Sequence, residues 1–252
     1  MSVAAFRSRY DHVNGIVMHV QNSSNRPSSQ SPTVVMLHGL VVSNHYMMPL
    51  AKHLAPAYPV TLPELPGFGR STKTEPLDVG ELAGYFNDWV RSAGLKDIIV
   101  VANSFGCEIA AEYAKRQPEE LRKLVMISPM REQRLGTLQY LSRWALVTPF
   151  EPISYHPIMA KDYLVAGAIR AAKTFAYGMK HRTEDAAALI TVPTLLLRGS
   201  RDFIVTKRLI RSLESKLPES RSVTVRGAHA LNYSRPLTLA YIIDYFIRNG
   251  GT

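Results

Sequence analysis

The fold of this chain is decided by residues 98–106, which read IIVVANSFG. The apolar run over 98–102 predicts a buried strand, and residues 108–114, EIAAEYA, have the pattern of a helix. Ser104 lies between them, with a small residue two positions away on each side. A strand, a sharp turn and a helix form a nucleophile elbow, which presents a serine hydroxyl at the tip of a strained turn. The alternative is a serine that only caps an ordinary helix, so the rest of the chain must decide between them.

Strand and helix patterns alternate along the rest of the chain. The apolar strands lack polar alternation, which indicates a sheet covered on both faces, and the alternation of strands and helices indicates a mostly parallel, doubly wound α/β sheet. Asn14-Gly15 separates two strand patterns and predicts a hairpin, because both residues tolerate positive φ. The predicted strands cover 9–12, 16–21, 33–37, 60–62, 98–102, 124–127, 194–197 and 222–225. The predicted helices cover 46–54, 78–93, 105–116, 206–217 and 236–248.

Residues 130–191 interrupt this alternation, because they far exceed what a crossover between two parallel strands requires. Their pattern is helical, rich in aromatic residues and broken by prolines. We expect a small helical cap inserted after the sixth strand, above the carboxyl edge of the sheet, where ligands bind in open α/β folds. Residues 1–129 and 192–252 then form the α/β core. Extra packing at the side of the domain is the alternative interpretation.

Composition bounds the class of protein. The chain has 252 residues, 46% of them hydrophobic, which suits one large α/β domain with a sizeable core. Its net charge is +10, but basic and aromatic residues do not interleave as in nucleic-acid-binding motifs, so we expect no nucleic-acid partner. No signal peptide or membrane helix is visible, so we expect a cytoplasmic protein without an integral membrane segment. The single cysteine, Cys107, excludes an internal disulfide and is interpreted as a small core residue.

A serine hydroxyl needs a neighbouring base to act as a nucleophile at neutral pH. Of the eight histidines, only His229 comes just after a late strand. The base in turn needs a carboxylate that fixes its tautomer, and Asp202 follows the strand at 194–197. Ligands bind at the carboxyl edge of such sheets, and each of these residues follows a strand. We therefore expect Ser104, Asp202 and His229 to meet at that edge as nucleophile, acid and base.

The order serine, acid, histidine is the order found in α/β-hydrolases, and this chain resembles that family over nearly its whole length. Residues 37–40, LHGL, are similar to the family's His-Gly segment, and residues 65–71, LPGFGRS, are similar to its Gly-x-Gly-x-Ser loop. The elbow, the acid and the histidine then follow at family-like intervals. The resemblance implies the α/β-hydrolase fold with a helical cap, and a catalytic triad at the three positions named above.

Other residues have roles that are expected around such a triad. We expect the backbone N–H groups of Leu40 and Phe105 to form an oxyanion hole. Glu132, which follows the strand at 124–127, is a rival for the acid. His38 is a candidate for substrate contact, although it is also suited to support its loop through hydrogen bonds. The candidate substrate-binding residues are His38, Tyr140, Trp144 and Arg131.

The elbow departs from the commonest pattern of the family. Ala102 replaces its first glycine, and Asn103 replaces a frequent histidine before the serine. Asn-Ser-Phe-Gly is similar to the elbows of carbon–carbon bond hydrolases that act on aromatic ring-cleavage products. However, the glycine- and proline-rich extension that those enzymes carry after His-Gly is absent here, where residues 40–44 read LVVSN.

These observations predict a serine hydrolase of the carboxylesterase type, which cleaves small to medium apolar acyl esters through an acyl-enzyme. Thioesters and lactones are chemically similar substrates. The second hypothesis is a carbon–carbon bond hydrolase, in which Arg131, Arg134 or another cap cation binds a substrate carboxylate. The third is a non-catalytic ligand receptor on a hydrolase scaffold. We expect no cofactor and no metal, because the spacing of the histidines matches no metal site.

Overall fold

A computed structural model describes residues 5–24, 31–130 and 136–250 of the chain. The strands are β1 (Phe6–Val13), β2 (Ile16–Ser23), β3 (Thr33–Leu37), β4 (Val60–Pro63), β5 (Ile98–Asn103), β6 (Leu121–Ile127), β7 (Thr194–Gly199) and β8 (Ser220–Val225). The helices are α1 (Met48–Leu54), α2 (Val79–Ser92), α3 (Phe105–Ala114), α4 (Thr137–Val147), α5 (His156–Ala166), α6 (Ala168–Lys180), α7 (Thr183–Ala187), α8 (Lys207–Glu214), α9 (Leu231–Ser234) and α10 (Pro236–Asn249).

The strands form one sheet in the order β1-β2-β4-β3-β5-β6-β7-β8. Strands β3 to β8 are mutually parallel, and β2 runs antiparallel to both of its neighbours, β1 and β4. The predicted mostly parallel sheet is therefore confirmed. The hairpin between β1 and β2 turns at Asn14 and Gly15, whose φ angles are 49° and 77°, as expected for this pair of residues.

Apolar side chains alternate between the two faces of the sheet and form a separate layer on each. On one face, strand residues such as Val100 pack with α2, α3 and α8; on the other, residues such as Val101 pack with α1 and α10. Because helices cover both faces, the central strands are buried along their whole length. This packing explains why they are continuous apolar runs in the sequence.

The segment between β6 and β7 contains α4 to α7, and we call its described part, residues 136–191, the insert. Tyr140 and Val147 of α4 belong to the same buried cluster as Phe105, the first residue of α3. Helix α6 comes very close to this phenylalanine, since a Cβ atom on Gly178 would lie 3.1 Å from its ring carbon Cδ2. The insert therefore packs on the start of α3, next to Ser104.

Element bounds differ from the sequence predictions by a few residues. Helix α3 ends at Ala114 instead of residue 116, and the chain turns at Gln117, which has a φ of 51°. Helix α8 ends at Glu214 instead of residue 217. Within the described ranges, no helix combines the length and the apolar character that crossing a bilayer requires.

Candidate active site

Ser104 occupies a strained turn between β5 and α3. Its φ and ψ angles are 52° and −124°, a conformation that non-glycine residues rarely adopt. The turn is sharp because the start of α3 lies directly against the end of β3: a Cβ atom on Gly106 would lie only 2.6 Å from the carbonyl oxygen of His38. Glycine at this position therefore allows the helix to begin where it does, and the serine is held at the tip.

Three loops bring Ser104, His229 and Asp202 together at the carboxyl edge of the sheet. The Nε2 atom of His229 lies 2.9 Å from the Ser104 Oγ atom, and its Nδ1 atom lies 2.9 Å from the Asp202 Oδ2 atom. The other carboxylate oxygen, Oδ1, accepts hydrogen bonds from the backbone N–H groups of Ile204 (3.0 Å) and Val205 (3.1 Å). All three side chains are buried, so the hydrogen bonds between them are shielded from water.

The electrostatics of this triplet favour a charged aspartate beside the histidine. Burial alone would raise the pKa of Asp202, but the charge of His229, its hydrogen bond and the N–H group of Val205 hold that pKa below its usual range. Burial alone would lower the pKa of His229, but the charge and hydrogen bond of Asp202, together with the charge of Glu151, raise it above its ordinary value. An ionised aspartate can therefore stabilise an imidazolium at His229.

His38 supports the loop after β3. Its Nε2 atom accepts a hydrogen bond from the backbone N–H group of Leu65 (3.2 Å), so the proton lies on Nδ1, which is 3.0 Å from the carbonyl oxygen of Gly39. Burial lowers the pKa of His38, which keeps the ring neutral. Both ring nitrogens are therefore occupied by backbone groups, which favours the supporting role over substrate contact.

The two predicted oxyanion donors come from loops that touch each other at Ser104. A Cβ atom on Gly39 would lie 3.3 Å from the Cβ atom of Ser104, so the loop that carries Leu40 is in contact with the nucleophile candidate. Phe105 is the first residue of α3, and N–H groups in the first turn of a helix have no acceptor within the helix. An oxyanion hole at Leu40 and Phe105 stays a prediction that this arrangement allows.

Tyr46 is a site residue that the sequence did not indicate. Its hydroxyl donates to the Asn103 Oδ1 atom (2.7 Å) and accepts from the backbone N–H group of Gly39 (2.6 Å). The amide nitrogen of Asn103 donates to the carbonyl oxygen of Ile127 (3.1 Å). Asn103 therefore ties the elbow to the loop after β3, which gives a structural reason for asparagine before the serine.

Two of the predicted substrate-binding residues, Trp144 and Tyr140, have different positions relative to the candidate site. The ring of Trp144 is only partly buried and lies 5.9 Å from the ring of His229, so it borders the candidate site. Tyr140 is almost completely buried and packs on Phe175, with 5.5 Å between the ring centroids. Arg131, and with it Glu132 and Arg134, lies outside the described residues.

Two carboxylates of the insert, which no sequence pattern indicated, form hydrogen bonds with loops of the site. Glu151 accepts from the backbone N–H group of Ala230 (2.7 Å), and Asp162 accepts from that of Ser43 (2.7 Å). Each is flanked by non-acidic residues in an aromatic, helical segment, so the sequence does not distinguish it from an acid on the surface.

Cys107 is a core residue, as predicted. Its thiol donates to the carbonyl oxygens of Ala102 (3.3 Å) and Ile127 (3.4 Å), and burial raises its pKa well above the ordinary value. A protonated, enclosed thiol is unreactive. Among the residues that the structure describes, no three His, Cys, Asp or Glu side chains are grouped as a metal ion would need.

Comparison with known proteins places the chain in a family. A family model described as the alpha/beta hydrolase fold matches residues 32–156. The eight-stranded, mostly parallel sheet with helices on both faces agrees with that match. The chain has the α/β-hydrolase fold and belongs to the α/β-hydrolase superfamily.

Hydrolases with esterase names are among its relatives. A pimeloyl-[acyl-carrier protein] methyl ester esterase of Aeromonas salmonicida is 24% identical, over 86% of this chain and 96% of its own. The carboxylesterase CesB of Bacillus subtilis superimposes with a TM-score of 0.79 at 17% identity, over 98% of this chain and 93% of that one. A membrane phospholipase A, described as a bacterial virulence factor, superimposes with a TM-score of 0.83 at 22% identity, over 98% and 88% of the two chains. The chain is thus an α/β-family hydrolase with esterase-like relatives.

Proposed function

We propose that this protein is a serine hydrolase that cleaves carboxylic esters through an acyl-enzyme intermediate, with Ser104 as nucleophile, His229 as base and Asp202 as its partner. The observation that carries the proposal is the continuous chain of two 2.9 Å contacts from Asp202 through His229 to Ser104. A serine in this arrangement has its proton acceptor in place before substrate binds. The esterase relatives support the same class of reaction.

The first half of the reaction acylates the serine. The Ser104 Oγ atom forms a bond to the ester carbonyl carbon while its proton passes to the His229 Nε2 atom. The oxyanion that develops accepts hydrogen bonds from the N–H groups of Leu40 and Phe105, and one such donor lowers the barrier by about 2.7–4 kcal/mol. The carbon–oxygen bond to the leaving group then breaks, and the imidazolium returns its proton to the departing alkoxide, which leaves as an alcohol.

The second half releases the acid. Water gives a proton to His229 and attacks the acyl carbonyl carbon, and the same oxyanion donors stabilise the second tetrahedral intermediate. Its collapse breaks the bond to Ser104, which takes back a proton from His229. Throughout the cycle the ionised Asp202 keeps the imidazole in the tautomer that presents Nε2 to the serine.

The acyl group is proposed to be apolar. Trp144 borders His229, and Trp144 and Phe175 are partly exposed residues that pack against the same buried cluster as Phe105. These two aromatic rings of the insert offer contacts to hydrocarbon. In this proposal the insert is the cap predicted from the sequence, and thioesters and lactones with apolar acyl groups are further substrates.

The test is a hydrolysis panel of p-nitrophenyl esters of increasing acyl length, with lactones and thioesters added. We expect Ser104→Ala to lower kcat by about 10⁴-fold or more, because the acyl-enzyme of this proposal forms on the Ser104 Oγ atom. Ser142→Ala, on the exposed face of α4, is the matched serine control and should retain wild-type turnover. A Ser104→Ala variant that hydrolyses esters as the wild type does would rule out this proposal.

Carbon–carbon bond hydrolysis is the second candidate, suggested by the Asn-Ser-Phe-Gly elbow. In the structure the Asn103 side chain holds Tyr46 and the end of β6, so it serves the fold of the elbow whatever the substrate is. Turnover of a dienoate ring-cleavage product compared with p-nitrophenyl butyrate separates the two reactions. Rapid cleavage of the dienoate with negligible ester turnover would favour the second candidate.

A non-catalytic receptor on the same scaffold is the third candidate, and it is separated by covalent labelling. A fluorophosphonate probe reacts with an activated serine, and we expect the wild type but not Ser104→Ala to be labelled. Absence of label on the native protein would favour the receptor.

A further inference from the structure

Two acidic side chains of the insert are buried against the loops that carry the candidate site. Glu151 is 7% exposed and Asp162 is 8% exposed, which is unusual for carboxylates. Neither belongs to the Ser104–His229–Asp202 triplet. Burial of a charge is costly unless hydrogen bonds compensate it, so each contact of these two groups indicates what they do.

Glu151 contacts the loop of His229. It lies between two short 3₁₀ helices, Thr148–Phe150 and Ile153–Tyr155, and its Oε1 atom accepts the backbone N–H group of Ala230 at 2.7 Å. Burial raises the pKa of Glu151, although that N–H group and the charge of His229 act in the opposite direction. The carboxylate of Glu151 therefore supports His229 indirectly, through a hydrogen bond to the backbone of Ala230, the next residue.

Asp162 contacts the loop of Leu40 in the same manner. Its Oδ2 atom accepts both the backbone N–H group of Ser43 (2.7 Å) and its hydroxyl (2.8 Å). This loop also contains Val41, a β-branched residue with a φ of 59°. Such a conformation persists only where the surroundings enforce it, and the two hydrogen bonds to Asp162 hold the loop two residues further on.

We propose that the insert positions both catalytic loops through these two carboxylates: Glu151 holds the His229 loop and adds a negative charge beside the imidazole, and Asp162 holds the loop of Leu40. This inference rests on the proposed serine hydrolase function. Both acids are positioning residues, since neither is required to touch the substrate. The insert then contributes residues to the site, and catalysis requires that the insert is packed on the α/β core.

The charge of Glu151 has a definite sign of effect on the pH profile. His229 must be neutral to accept the serine proton, and an adjacent anion raises its pKa. Removal of that anion lowers the pKa, so the base is available at lower pH. The ionisable groups that act on Glu151 are His229 and Asp202; Tyr155 lies next to it in the insert, and Arg201 stacks over the adjacent Phe150.

The experiment compares pH profiles of kcat/KM for the wild type and Glu151→Gln. Glutamine keeps an acceptor for Ala230 but removes the charge, so we expect the acidic limb to move to lower pH by about 0.5–1 unit. Glu151→Ala also removes the acceptor, and we expect kcat to fall about tenfold to a hundredfold with a small change in KM, because the histidine is displaced. Partial recovery of kcat in Glu151→Gln distinguishes positioning from mere packing.

Asp162→Asn is the matched control for loss of a buried carboxylate from the insert. Its contacts lie at Ser43, so we expect a lower kcat without displacement of the acidic limb. If Glu151→Ala does not fold, as judged by circular dichroism, Glu151→Gln decides the question alone. A Glu151→Gln profile that superimposes on the wild type would overturn the inference. Fluorophosphonate labelling of the wild type separates this failure from failure of the proposed function, because a labelled wild type establishes an activated serine whatever the Glu151→Gln profile shows.

Discussion

At the scale of single residues, the site depends on side chains that hold backbone in place. The hydroxyl of Tyr46 both donates to Asn103 and accepts from Gly39, so one buried group joins the elbow to the loop after β3. Burial raises the pKa of Tyr46 well above its ordinary value, which keeps the phenol protonated and able to make both bonds.

Replacement of Tyr46 by phenylalanine should therefore affect both stability and catalysis. The change leaves the N–H group of Gly39 and the Oδ1 atom of Asn103 buried without a partner, at a cost of about 1–3 kcal/mol for each. We expect a lower unfolding free energy in urea and a lower kcat, because the loop that carries Leu40 loses a support.

Tyr58→Phe is the matched control, since the hydroxyl of Tyr58 donates to Asp244 of α10, far along the chain from the elbow. We expect it to lower stability alone. Equal catalytic effects in the two variants would contradict the role assigned to Tyr46.

Which residues the sequence could indicate depends on whether the end of a strand places them at the site. Ser104, Asp202 and His229 were recognisable because each follows a strand pattern, and the carboxyl ends of parallel strands share an edge. Tyr46, Glu151 and Asp162 follow no strand pattern, so nothing in the sequence relates them to their partners, which are 57, 79 and 119 residues away. Such contacts form only when the chain has packed into its tertiary structure, and no local sequence pattern predicts them.

At the scale of elements, the contact between α3 and the end of β3 sets the geometry of the elbow. A Cβ atom at Gly106 would lie 2.6 Å from the carbonyl oxygen of His38 and 2.8 Å from that of Leu37. Both neighbours are backbone atoms, so the helix and the strand would have to separate.

Gly106→Ala should thus destabilise the fold by about 1–3 kcal/mol, in the range of overpacked cores, and reduce ester turnover. Gly84→Ala in the middle of α2 is the control, because the nearest atom to its added Cβ, the Nη1 atom of Arg116, lies 4.0 Å away. There we expect a gain of about 0.5–1 kcal/mol from helix propensity. Urea unfolding measures both, and a Gly106→Ala protein as stable as Gly84→Ala would refute the close approach.

The elements of the core could be predicted from the sequence more completely than those of the insert. Strands β3 and β5 are continuous apolar runs because both of their faces are covered, and the Asn14-Gly15 hairpin has its own turn chemistry. The helices of the insert follow no such rule: Leu138, Ile153 and Leu164 are 83%, 88% and 84% exposed. Apolar periodicity predicts a helix and, where apolar residues are buried, its buried face. In the insert many apolar residues are exposed, so the pattern predicts helices but not how they pack.

At the scale of the whole molecule, buried ionisable groups make stability depend on pH. Burial lowers the pKa of His38, so below about pH 6.5 the unfolded chain binds a proton at this residue more readily than the folded chain does. The unfolding free energy therefore decreases as the pH falls below that value. The pKa values of Asp202 and Glu64 are held below their usual range despite burial, so their contribution is present above about pH 4.5 and is lost as pH falls through their folded values. His229 acts in the opposite sense, since its pKa is raised: its contribution is present below about pH 6.5 and is lost as pH rises through its folded value.

We therefore expect the unfolding free energy of His38→Gln to depend less on pH than that of the wild type between about pH 6.5 and 5. The difference between the two proteins can change by at most about 1.4 kcal/mol per pH unit, the limit for one proton. Urea denaturation at a series of pH values measures it. Parallel curves for the two proteins would show that His38 takes up a proton equally in both states.

The single thiol of this chain is enclosed three residues after Ser104, with its hydrogen directed at two carbonyl oxygens. An alkylating dye can reach that sulfur only in molecules whose interior has opened around the elbow. The rate of alkylation then reports how often this region breathes, and the wild-type chain needs no introduced label for the measurement.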